Sequence, residues 1–377
     1  MGPHVMIGTQ QLDACMPWVL ENWAKKWYPM LQDIDLPCRF VICEYMGMYK
    51  LNAVPTKMLA KVLAENSYGK PTIVVLDAEF TSVSFKDLDW IWRELVSIGV
   101  DLRTVIMWAD TVLEQGCPMV RGQSITGFNF AATTNAAVMV PEPTHHFIML
   151  ARVPRLHRIQ AAVGILQRKL ERLGYLSCGS GAYHPDDYDY FNHVPEDIRH
   201  RFPLLLDGEI DTADYQKVHL NSVLDLRVSG AFVNVVCETN SENPNESHTR
   251  RTIHITEKSS KPFLLGQCIL MNGTCGTLAA IREFGFDCFD DLIDHSYDLE
   301  PDQTRRIGMM LDQLAMLCSK SMDWIQAYKQ DNYERFVNNR DIFMSIAANV
   351  PGINQDRFLT AATTAYQRCI SLTGGTA

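Results

Sequence analysis

Apolar residues recur along this chain in two patterns, short uninterrupted runs and longer stretches spaced by three and four. Thr72-Ile-Val-Val-Leu76 is a continuous run of the kind buried on both faces of a parallel sheet. Ser84 to Ile98 follows with Leu88, Ile91 and Leu95 on one helical face, Ser84 as N-cap, Asp87 three residues later and Gly99 as C-cap. Thr104-Val-Ile-Met-Trp108 then reads as the returning strand, so the unit predicts a right-handed crossover and a parallel sheet. Upstream, Cys38 to Glu44 predicts a strand. Pro55 to Asn66 predicts a helix with Leu59, Val62 and Leu63 on one face.

A second alternating series starts after Val140-Pro-Glu-Pro-Thr-His145, whose two prolines mark the expected domain boundary. Phe147 to Ala151 predicts a strand. Leu156 to Leu173 predicts a helix striped by Ile159, Val163, Leu166, Leu170 and Leu173 and closed by Gly174. Ala231 to Cys237 and Gln267 to Met271 predict further strands, and Gly276 to Phe284 a helix closed by Gly285. The tail is helical, with Ile307, Met310, Leu311, Leu314, Cys318, Trp324 and Ile325 on one face and Phe358 to Ile370 forming another. The expectation is an α/β protein of two Rossmann-like domains facing a cleft, 1–142 and 143–377, the second carrying the C-terminal helices. Ligands of such sheets bind outside the carboxyl ends of the strands.

At 377 residues the chain has room for two cores. No run approaches the ~20 apolar residues that span a bilayer, and no basic region with an apolar core opens the chain. A membrane partner is therefore not expected. The 11 cysteines include no Cys-x-x-Cys pair, which suits free thiols in a reducing compartment such as the cytoplasm. The net charge of −10 argues against broad nucleic-acid binding while leaving room for one basic cleft. Neither Gly-x-x-x-x-Gly-Lys-Ser/Thr, Gly-x-Gly-x-x-Gly nor Gly-x-Ser-x-Gly occurs, which disfavours an NTPase, a dinucleotide enzyme and a serine hydrolase.

The richest polar segment is His254-Ile-Thr-Glu-Lys-Ser-Ser-Lys-Pro-Phe263, running into an apolar strand and the turn Asn272-Gly-Thr-Cys-Gly-Thr277. That order sets Glu257, Lys258 and Lys261 beside two helix N-termini, where exposed N–H groups favour anions. Lysine and dipole suit the phosphates of a nucleotide diphosphate, and the glutamate suits ribose hydroxyls. Arg152-Val-Pro-Arg155-Leu-His157-Arg158 lies between a strand and a helix, and Glu238 at another strand end, both on the ligand-binding rim. In the first domain Asp77 and Glu79 lie just past one strand and Asp110 past its neighbour, a pool for a general base. Asp187-Tyr-Asp189 is a weak metal motif because no apolar strand precedes it, and the histidines lack ligand spacing.

Ile255-Thr-Glu-Lys258 with Lys261-Pro-Phe263 and the following strand resembles the donor segment of GT-B glycosyltransferases, closest to the fucosyltransferase type. A longer set is similar to sugar-transferase-like proteins of phages and large DNA viruses. It comprises Arg155-x-His-Arg158, Val236-Cys-Glu-Thr239, Gly276-Thr-Leu278, Phe284-Gly-Phe286 and Ile293-Asp-His-Ser-Tyr-Asp298, and the resemblance covers residues 145 to 310. It implies a GT-B-like fold and a UDP- or GDP-sugar donor. Thr256 and Glu257 would contact the nucleotide, Lys258, Lys261, Arg155 and Arg158 the pyrophosphate, and Glu238 would lie near the sugar. His295 departs from the pattern, standing where an acid is expected. No metal is required by this scheme. The implied acceptor is a hydroxymethylated pyrimidine in phage DNA; the alternatives are a glycan or small-molecule acceptor, or a nucleotide-sugar-binding protein without catalysis.

Overall fold

The computed structural model describes residues 5–7, 31, 34–46, 60–61, 71–80, 93, 95–101, 104–109, 111–112, 119–121, 140–151, 153–179, 190–206, 226–238, 241, 253–255 and 257–373. Contacts divide the chain into two units: residues 1–125, 248–252 and 349–377, and residues 126–247 and 253–348. Both are α/β. Among the described residues no helix is long and apolar enough to cross a membrane.

The first unit holds a parallel sheet of β1 (Val5–Ile7), β2 (Arg39–Met46), β3 (Thr72–Phe80), β4 (Val105–Ala109) and β5 (Met119–Arg121), ordered β1-β2-β3-β4-β5. The predicted strand–helix–strand unit is present as the parallel pair β3 and β4, and Gly99 ends the intervening helix at φ +82°. Phe40, Ile73, Val75 and Ile106 line one face and pack against Leu31 and against Phe358, Ala361, Ala362, Ala365 and Cys369. Those last five belong to the C-terminal helix, so residues 349–373 complete the first core, whereas the apolar pattern assigned the whole tail to the second domain. Burying an aliphatic or aromatic side chain contributes about 1.5–3 kcal/mol, which is what such a helix face supplies.

The second sheet comprises β6 (His145–Ala151), β7 (Gly174–Cys178), β8 (Ala231–Cys237) and β9 (Cys268–Asn272) in the order β9-β8-β6-β7, all parallel. Every residue of β9 is buried, as the uninterrupted run requires. Helices accompanying it include α1 (Leu156–Gln167), α2 (Glu257–Leu264), α3 (Thr277–Arg282), α4 (Gln303–Cys318) and α5 (Met322–Asp331), and α6 (Tyr333–Thr373) starts in this unit. From β6 the chain steps one way to β7, then returns past β6 to β8. The right-handed rule for such crossovers sets α1, between β6 and β7, and α2, between β8 and β9, on opposite faces, because the two connections step in opposite directions. Leu265, at the end of α2, accordingly packs with Ile148, Val228 and Ala231.

Three local differences from the pattern stand out. The helix expected over 156–173 ends at Gln167, because Lys169 takes a left-handed conformation (φ 55°) and starts a short 3-10 turn. Gly174, expected as a helix cap, instead opens β7, where an added Cβ would stand 2.2 Å from the Phe147 carbonyl oxygen. Val140 to Pro143, expected as a boundary, falls inside the second unit, with Pro141 O and Pro143 O bonded by Lys329 and Gln326 of α5.

Candidate functional site at the carboxyl rim of the second sheet

The strand order reverses between β6 and β8, and their carboxyl ends, Ala151 and Cys237, lie side by side at that point. Loops leaving neighbouring strands in opposite directions open a crevice there. Glu238, the first residue after β8, is the centre of the rim. Its N–H donates to Asn272 O at 3.0 Å, tying it to the end of β9. Its carbonyl oxygen receives His157 Nε2 at 2.9 Å and two guanidinium N–H groups of Arg158, Nε at 3.3 Å and Nη2 at 2.8 Å. Its carboxylate accepts from the Ser259 hydroxyl on α2. One residue thus ties together β9, the start of α1 and α2.

The electrostatics follow from burial. A carbonyl can only accept, so His157 carries its proton on Nε2. Burial, reinforced by the charge on Arg158, holds its pKa well below the usual 6.5, so the ring is neutral. Arg158 drops to about 10 through burial and the neighbouring Arg155, yet stays charged, with a third donor to Val153 O at 3.0 Å. Asn272 Nδ2 donates to His157 O at 2.9 Å and also reaches Cys237 Sγ at 3.5 Å. Burial pushes the thiols of Cys178 and Cys237 up to about 12 and about 11, so neither is a nucleophile at neutral pH.

The predicted residues fall into three groups. Arg155, Arg158 and Glu238 converge on the rim, and Lys258 is near enough to act electrostatically on Cys237. Lys258 and Lys261 are half-buried on α2, one turn apart, and Glu257 is that helix's first residue. Arg158 and Glu238 differ from expectation in being buried, at 4 % and 0 % exposure. Their hydrogen bonds go to the protein and hold the α1 start, the end of β8 and α2 together. Asp77 and Glu79 lie within β3, not past it, because pairing with β4 runs through Ala78 and pairing with β2 carries the strand to Phe80; Asp77 stands opposite Glu44 and Trp108. Asp110, Arg152, Thr256, the segment 187–189 and the helix start at Ser84 and Asp87 lie outside the described residues.

Of the two helix N-termini expected to be open to anions, that of α3 differs from expectation, and the residue before α2, Thr256, lies outside the described residues. The α3 start is closed by Asp298, whose carboxylate accepts from Leu278 N at 3.0 Å and Ala279 N at 3.3 Å. The starts of α4 and α5 are capped by Asp302 and Ser321. At α1 the N-cap position is Arg155 in extended conformation, with no side-chain cap among the described residues and no acid in the first turn. Among the described residues the α1 start is therefore one that favours an anion.

Sequence reasoning missed Ser259, Asn272 and Tyr297. Asn272 carried a signal, a single polar residue ending an apolar strand at its carboxyl side. His295 has a structural role: Met271 N–H donates to the Tyr297 hydroxyl at 2.9 Å, that hydroxyl to His295 Nδ1 at 3.1 Å, and Nε2 to Cys288 O at 2.9 Å. Burial lowers its pKa and keeps it neutral, as this relay needs. Among the described residues no group of three His, Cys, Asp or Glu side chains could hold a metal ion. Comparison with protein-family models, curated proteins and solved structures returns no match.

Proposed function

We propose that the second unit binds a nucleotide-sugar, UDP- or GDP-linked, at the rim between β6 and β8, and that the protein is a glycosyltransferase of GT-B-like architecture. The observation that carries this reading is the strand-order reversal with the α1 N-terminus beside it, which has no side-chain cap among the described residues. A helix start with aligned N–H groups and no acid favours a diphosphate, and Arg155 supplies a guanidinium at the same point. Lys258 adds a second positive charge from α2. Its placement depends on Glu238, which holds α2 through Ser259. Departure of the nucleotide diphosphate is the main electrostatic demand of glycosyl transfer, and fixed positive groups meet it without reorganisation.

In this reading Glu257 takes the ribose hydroxyls and Lys261 supports the phosphate side. Arg158 fixes the α1 start, and the first unit receives the acceptor with a base drawn from Asp77, Glu79 and Asp110. The resemblance to phage proteins favours a hydroxymethylated pyrimidine in DNA as acceptor. The test is incubation of the intact protein with a panel of nucleotide sugars, reading thermal stabilisation and sugar release. A bound donor stabilises the fold by RT ln(1 + [L]/Kd). Stabilisation with sugar release supports a transferase; stabilisation without release on any acceptor points to a binding protein; no stabilisation by any nucleotide sugar refutes the donor site. Transfer to hydroxymethylated duplexes should weaken with salt at a log–log slope of about −0.9 per phosphate contacted.

A further inference from the structure

Away from the rim, residues 140–143 and helices α5 and α6 enclose a surface cavity of about 570 Å3, the size of a small-molecule site. Its inner wall includes the buried residues Val140, Pro143 and Lys329, and its mouth the exposed carboxylates of Glu142, Asp331 and Glu334. Lys329 is only 3 % exposed. Its ammonium donates to Pro141 O at 2.8 Å and stands 5.2 Å from the Phe336 ring centroid. An ammonium has three N–H donors, and among the described residues the other two meet no acceptor and no carboxylate.

We propose that this cavity binds a small zwitterion of the amino-acid class, its carboxylate on Lys329 and its ammonium among the mouth carboxylates. A buried ammonium with one acceptor carries an uncompensated desolvation penalty, and a carboxylate supplies both the missing charge and charge-assisted acceptors. Burial lowers the pKa of Lys329 to about 8. A plain anion would meet three like charges on entry, whereas a cationic group on the same molecule is matched there. Val140 and Pro143 give the connecting carbons an apolar wall.

The test is calorimetry on the full chain with glycine, 4-aminobutyrate and 6-aminohexanoate, which differ in charge spacing, and with hexanoate and hexylamine as single-charge controls. The expected result is binding of at least one amino acid, with both controls weaker. Lys329→Met, which keeps the side-chain length, should lower that affinity by at least about tenfold, the effect of losing one charge-assisted pair. The combined variant Glu142→Gln, Asp331→Asn, Glu334→Gln changes only exposed groups and should bring the amino acid down to the affinity of hexanoate. No binding by any of the three amino acids would overturn the proposal. So would equal binding of hexanoate, or affinity unchanged in Lys329→Met.

Discussion

The first sheet winds in one direction, β1 to β5 in sequence order, while the second reverses between β6 and β8. Both are parallel and both are cored by aliphatic and aromatic residues, yet they treat their polar groups differently. Among the described residues of the first unit the buried side chains, such as Phe40, Ile73, Ile106 and Phe358, are apolar apart from Thr104, and the side chains at the carboxyl ends of β2, β3 and β4 lie outside the described ones. The second buries Glu238, His157, Arg158, Ser259 and Asn272 at the carboxyl rim and satisfies them with one another. Buried polar networks are costly unless their members are paired, so a paired one marks a place where the fold fixes geometry. Strand content does not separate the two sheets; winding order and what it brings together do.

The contrast breaks first in stability. Arg158→Met removes the cation that holds Glu238 O and Val153 O, and should destabilise by about 3–5 kcal/mol in urea titration at neutral pH. Phe358→Ala in the first core should lose a similar ~3–5 kcal/mol through a cavity. Only the former should also abolish nucleotide-sugar binding under conditions where both proteins remain folded. Equal loss of binding in both would erase the distinction between the sheets.

Ser259→Ala comes next. It strips a hydroxyl donor from a buried carboxylate, and a loss of about 1–3 kcal/mol is expected by the same titration. A change within error would mean that Glu238 does not depend on α2.

Acid sensitivity is smaller over any one pH unit. The folded pKa of His157 lies below 6.5, so the unfolded chain binds more protons between the two values. Its contribution is full above about pH 6.5 and is lost as pH falls, at up to about 1.4 kcal/mol per pH unit. His157→Gln can still donate to Glu238 O and should flatten that slope; an unchanged slope would assign it to His145 and His295, whose pKa values burial also lowers.

The smallest structural effect belongs to Lys258→Ala. Half-buried on α2, it should change stability by no more than about 0.5 kcal/mol. Affinity for the nucleotide diphosphate should nevertheless fall about tenfold, one charge-assisted contact. Calorimetry showing unchanged affinity would remove Lys258 from the site.

Period and composition gave the second sheet well. Ala231–Cys237 matches its expected bounds, and β6 and β9 shift by one or two residues. Gly174 to Cys178 was not read as a strand because its Gly looked like a helix stop. Only the close approach to Phe147 O explains a glycine there. At the rim, Arg155, Arg158 and Glu238 were legible as strand-end residues. The burial of Arg158 and Glu238 was not, because the bonds among Arg158, Glu238, His157, Ser259 and Asn272 join segments 21 to 115 residues apart. The closure of α3 by Asp298 was equally hidden, since the carboxylate arrives from twenty residues downstream.

The central claim is that the second sheet's reversal point is where ligand binds. Hydrogen–deuterium exchange of the full chain, with and without a saturating nucleotide sugar, tests it most directly. Protection concentrated in residues 153–160, 237–238 and 257–262, with the first-sheet strands unchanged, is the predicted result. Protection confined to the carboxyl ends of β3 and β4, or none with any nucleotide sugar, would contradict it.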